Sequence, residues 1–99
     1  MEYVNHPNHY KQEGRKECIV EMQDKFGSYL TIIFCLTNSY KYLYRAGNKE
    51  GNSEEQDIAK ARWYYNYAMS LYKDDVKLVA NEYKLLTAVR KELRQYDKG

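Results

Sequence analysis

The stretch Ser53-Glu54-Glu55-Gln56-Asp57-Ile58-Ala59-Lys60-Ala61-Arg62-Trp63-Tyr64-Tyr65 decides the fold class. Ser53 and Gln56 stand three apart, the spacing at which a serine hydroxyl accepts the N3 amide and the N3 side chain reaches back to the cap amide. Glu54, Glu55 and Asp57 put negative charge where the positive end of a helix dipole favours it. Beyond them Ile58, Ala61, Tyr65, Ala68 and Tyr72 recur at three and four residues, which predicts a helix from Ser53 to about Lys73.

Working outward, Gly47 to Asn52 is the clearest loop in the chain, and a second helix from a Ser28 cap to about Ala46 precedes it. Its stripe is read as Leu30, Ile33, Phe34, Thr37 and Tyr44. The run from Leu30 to Leu36 also has strand composition, but no turn chemistry or pairing partner follows it, so the helix is preferred. Gly27 supplies a stop for an earlier helix, Lys16 to Phe26, with Cys18, Met22 and Phe26 on one face. Toward the C-terminus, Asp74 or Asp75 is read as the cap of a further helix whose seam is Leu78, Leu85, Val89, Leu93 and Tyr96. The only proline, Pro7, lies in a polar head over residues 1–15. The expectation is one all-α domain over 1–99, a small helical bundle of about four helices across 16–96 with an extended N-terminal segment.

Composition narrows the function classes. The net charge is +2 with both signs interspersed, so no field exists to collect DNA or an anionic membrane, and sequence-specific nucleic acid is not an expected partner. No apolar run approaches the ~20 residues of a membrane span, and the start has no apolar leader core, so a cytoplasmic protein is expected. Cys18 and Cys35 lack CxxC spacing and are read as free, buried thiols. Of 99 residues, 12 are tyrosine, more than one core absorbs. Trp63, Tyr64 and Tyr65 point in three directions on a helix, since each residue advances ~100°. Packing on several sides, a homo-oligomer interface and a stacking platform for bases all account for this.

Four groups carry possible chemistry. Asn38, Lys41, Tyr42 and Arg45 share one helix face; two cations beside a phenol and an amide suit a phosphate or carboxylate, and a solvated face accounts for the same spacing. His6, His9 and Tyr10 in the head suit a phosphate or base contact, or a turn; Pro7 and the lack of a third ligand argue against zinc, so neither metal nor cofactor is expected. Asp57, followed by Lys60, is placed to pair with Arg45 or Lys41 across the loop; as an ion pair it is structural, and in a cleft it would serve as a general base or a sugar-hydroxyl acceptor. Gly47 to Gly51 lacks the Gly-Lys-Ser/Thr ending and follows a helix, which excludes a P-loop. No nucleophilic grouping or paired ExxE and ExxD carboxylates are legible.

Taken in order, His6-Pro7-Asn8-His9-Tyr10, Cys18-Ile19, the run Lys41-Tyr42-Leu43-Tyr44-Arg45-Ala46-Gly47, and the run from Asp57 to Tyr64 resemble a small phage-encoded domain family. Its pattern is HPxHY, KYxxRAGxKxG and DxxKAxWY, and the resemblance covers about residues 5 to 68. The family is largely of unknown function, and some phage members are described as nucleotide kinases that act on deoxynucleoside monophosphates without a P-loop. The resemblance implies a phage protein that handles nucleotides, up to a monophosphate kinase. It raises His6, His9, Tyr10, Lys41, Arg45, Asp57 and Lys60 to candidate site residues, and Tyr42, Trp63 and Tyr64 join them as candidate ligand-binding residues through the aromatic stacking of a base. The expected partners are a nucleotide or other phosphorylated small molecule and a second copy of the chain. The competing expectation is an anti-defence or host-takeover protein that sequesters a nucleotide signal or inhibits a host protein.

Overall fold

The computed structural model describes residues 17–48, 53–72 and 76–97. They form three helices, α1 (Cys18–Arg45), α2 (Glu54–Leu71) and α3 (Asn81–Tyr96). The described part is therefore all-α, as the periodicity implies. The count is three rather than about four because the two segments expected on either side of Gly27 run on as one broken helix. Gly27 sits at φ 89°, ψ 168°, non-helical and in a region open essentially to glycine alone. The Thr31 hydroxyl donates to its carbonyl at 2.9 Å, so the break is tied to the turn that follows.

α1 and α2 run antiparallel and make the most extensive contact, with α3 laid against both. The core draws Ile19, Ile32, Cys35, Leu36, Tyr42 and Leu43 from α1, and Ile58, Ala61, Tyr64 and Ala68 from α2. Leu78, Leu86, Val89 and Leu93 complete it. Ala61 and Ala68, fully buried, keep the α2 surface low enough for α1 to come close. The buried Ser39 hydroxyl uses that proximity to donate to the Ala61 carbonyl at 2.8 Å.

Several expected faces are displaced. On α1 the buried stripe is Thr31, Ile32, Cys35, Leu36, Ser39, Tyr42 and Leu43, whereas Leu30, Phe34, Thr37 and Tyr44 face out. Cys18 and Phe26 are likewise exposed, Met22 is half-buried, and Ile19 takes the inward position. Cys18 is thus not a buried thiol. Cys35 is, and burial pushes its pKa up to about 12, which keeps it protonated and unreactive.

α2 begins as expected: Gln56 donates its amide to Ser53 Oγ at 3.0 Å, and Ser53 donates its own to Gln56 Oε1 at 3.3 Å. Its expected stripe is buried at Ile58, Ala61 and Ala68 and half-buried at Tyr65 and Tyr72. α3 begins at Asn81, later than an Asp74 or Asp75 cap requires; those two aspartates lie outside the described residues. Its entrance is a corner at Ala80, φ 51°, and Glu82 accepts the Val79 amide across it at 3.3 Å. Glu82 also hydrogen-bonds the Tyr29 phenol, which raises the phenol's pKa. Leu78, Val89 and Leu93 are buried as expected, but Leu86 replaces Leu85 and Tyr96 is exposed. No helix among the described residues is long and apolar enough to cross a membrane.

Replacing Gly27 tests the break directly. A Cβ there meets no atom within 4 Å, so any penalty arises from the backbone alone. Gly27→Ala is expected to cost ~1–3 kcal/mol and to lower the melting temperature accordingly. An unchanged melting temperature would mean that the two segments straighten without cost.

Candidate functional site

The site is built by the end of α1, the turn at residues 46–48 that follows it, and the start of α2. Arg45 closes α1, and Gly47 at φ 74° then reverses the chain, with the Asn48 amide returned to the Arg45 carbonyl at 2.8 Å. A Cβ on Gly47 stands 3.3 Å from Glu54 Cβ, so this turn needs glycine for its backbone and for its space. The reversal sets the cationic end of α1 beside Glu54, Glu55 and Asp57 in the first turn of α2.

From the Ser39–Ala61 bond, Tyr42 lies one turn and Arg45 two turns further along α1, while Asp57 lies one turn back along α2. Antiparallel packing therefore brings Arg45 to Asp57, with Nε 3.7 Å from Oδ1. Asp57 is completely buried, and Arg45 retains 23% of its side-chain exposure. At 3.7 Å the two are ion-paired but beyond hydrogen-bond reach, and neither Asp57 oxygen accepts a hydrogen bond from the described residues. A buried carboxylate normally fills both oxygens, because leaving one bare costs on the order of 1–3 kcal/mol. Asp57 thus offers two acceptor oxygens beside a guanidinium.

Three cations from the two helices surround one ring. Lys41 Nζ and the Arg45 guanidinium carbon each lie 5.1 Å from the Tyr42 centroid, and Lys60 Nζ lies 5.6 Å from it. All fall within the ~6 Å at which a ring quadrupole attracts a cation. Lys41 is exposed, Lys60 is half-buried, and the Tyr42 ring is buried and stacks on Tyr64 at 6.0 Å and 14°. Three cations gathered about one ring form an arrangement able to accept an anion.

Among the residues proposed from sequence, Lys41, Tyr42, Arg45, Asp57, Lys60 and Tyr64 thus come together. Trp63 joins through Tyr64, edge-on at 5.0 Å, and stacks on Tyr67 at 5.4 Å. Tyr64 is only 3% exposed and is also met edge-on by Phe34, so it backs the cluster rather than opening to it. Asn38 is half-buried on the same helix. His6, His9 and Tyr10 lie outside the described residues. Ser39 is the residue that sequence reading missed; a lone serine between Asn38 and Tyr40 carries no signal until the opposing alanine is known.

No curated protein and no solved structure matches the chain. The model of a protein family of unknown function, DUF3310, matches residues 4–66, a span that takes in Lys41, Arg45, Asp57, Lys60 and the Gly47 turn. The chain belongs to that family.

Proposed function

We propose that the α1–α2 cluster binds the phosphate of a nucleotide, with a deoxynucleoside monophosphate as the leading ligand. The observation that carries this is the convergence of Lys41, Arg45 and Lys60 on the Tyr42 ring, 5.1 to 5.6 Å from its centroid. Arg45 and the two lysines grip the phosphate, the guanidinium by paired donors and the ammonium groups as point charges. Asp57, buried beneath the cluster, orients Arg45 from behind rather than touching the ligand. The resemblance to phage-encoded nucleotide kinases supports the same ligand class. Phosphoryl transfer joins two phosphate-bearing substrates, and this cluster accounts for one, so binding is put ahead of kinase chemistry.

Nucleoside and deoxynucleoside monophosphates are expected to raise the melting temperature of the full chain. At roughly 100-fold excess over Kd the gain is about 2.7 kcal/mol, a shift on the order of 10 °C for a domain of this size. Arg45→Gln and Lys60→Gln should flatten that response. No shift across the panel, or variants that respond like the wild type, would refute the reading. Incubation with a triphosphate then separates a kinase, which forms a diphosphate, from a protein that sequesters a nucleotide signal and returns it unchanged.

Self-association has a surface of its own. Phe26, Leu30 and Phe34 are spaced by four along α1 and are 64%, 54% and 38% exposed. Phe26 stands just before the Gly27 break and Leu30 and Phe34 one turn apart after it, and an exposed apolar patch of this kind suits association about a twofold axis, so a second copy of the chain is its proposed occupant. Native mass measurement is expected to give a dimer that Leu30→Glu converts to monomer; a monomeric wild type at high micromolar concentration would rule this out.

A further inference from the structure

On its other flank α2 faces α3, and the two enclose an open groove of about 400 Å³. Arg62, Tyr65 and Asn66 line it from α2, and Arg90 and Arg94 from α3, over a floor made by the buried Leu93. We propose that this groove is a second anion site, which takes the pyrophosphate portion of a small phosphorylated ligand. It is independent of the α1–α2 cluster: Asp57, Lys60 and Tyr64 face α1, whereas Arg62 and Tyr65 face α3.

The three guanidiniums differ in how they are held. Arg90 donates from Nε to the Tyr65 hydroxyl at 2.8 Å and lies 3.6 Å from Met69 Sδ, so its planar head is fixed before any ligand arrives. Arg94 stands one turn further along α3 on the same face and is exposed. Arg62 is paired with Asp97 at 2.6 Å, but their side chains are 36% and 52% exposed. A pair that open to water contributes little, so an anion with better geometry displaces Asp97 at small cost. Three arginines against one carboxylate leave an excess of positive charge that a single carboxylate ligand would not balance. Guanidinium forks match phosphate oxygens in pairs, and arginines on two helices span more than one phosphate group. The volume suits a small ligand rather than a protein segment. Arg90, Arg94 and Asp97 lie outside the 4–66 span that matches the family.

The test is calorimetric titration of the full chain with inorganic pyrophosphate. Arg94→Gln should weaken the groove event by roughly tenfold or more, as loss of a charge-assisted contact implies. Asp97→Asn, which removes the competing carboxylate, should tighten it, a change of opposite sign that loss of structure would not produce. Arg45→Gln should leave it unaltered. The proposal is overturned if pyrophosphate does not bind, if Arg94→Gln and Asp97→Asn both titrate like the wild type, or if Arg45→Gln abolishes all binding. That last pattern leaves the α1–α2 reading intact, whereas a nucleotide-induced melting shift that Arg45→Gln does not alter removes that reading and keeps the groove. Thermal melts of each variant without ligand verify the fold.

Discussion

A single buried hydrogen bond, from Ser39 Oγ to the Ala61 carbonyl at 2.8 Å, fixes the register between the two helices on which everything else stands. Two helices approach this closely only where the facing side chains are small, and Ala61 and Ala68 provide that on α2. A hydroxyl buried there without a partner would cost about 1–3 kcal/mol, so any slip of α1 along α2 is penalised twice, in packing and in polar satisfaction. The register chosen this way determines which residues meet one and two turns on. Tyr42 stacks on Tyr64, and Arg45 arrives at Asp57.

The electrostatics of that meeting are unusual for a purely structural pair. Asp57 is wholly buried, its oxygens accept no hydrogen bond from the described residues, and Arg45 Nε stands at 3.7 Å rather than at contact. Pairs that serve stability close to hydrogen-bond distance and fill the remaining lone pairs, since desolvation otherwise outweighs the attraction. Two lysines are also drawn to the same ring. Local chemistry at odds with stability supports the proposed reading of this cluster as a ligand site.

Sequence reading reached the helical class, the break at Gly27 and the Ser53–Gln56 capping box, because each rests on local chemistry with fixed spacing. It reached the pairing of Arg45 with Asp57 because a loop opened by a left-handed glycine returns the chain on itself. It misplaced the buried face of α1 by following bulk: Leu30, Phe34 and Tyr44 drew attention, while Thr31, Cys35 and Ser39 mark the side that packs. Close helix contact favours small residues, and hydrophobic periodicity does not weigh them. It misplaced the start of α3 because Asp74 and Asp75 have cap chemistry, whereas the observed entrance uses Ala80 in a left-handed conformation braced by Glu82. The groove between α2 and α3 was invisible, since Arg62 and Arg94 come together only through the tertiary fold. The tyrosine excess is partly resolved: α2 is covered on two flanks, with Tyr64 against α1 and Tyr65 against Arg90 of α3.

The central claim is that Lys41, Arg45 and Lys60 form a phosphate site around Tyr42. Side-chain ¹H–¹⁵N spectra of the arginines, recorded while a deoxynucleoside monophosphate is added, address it at the atoms concerned. Arg45 Nε–H is predicted to shift saturably, together with the Tyr42 ring protons, as the phosphate engages the guanidinium. Saturable shifts confined to other arginines, with Arg45 and Tyr42 unmoved, would contradict it.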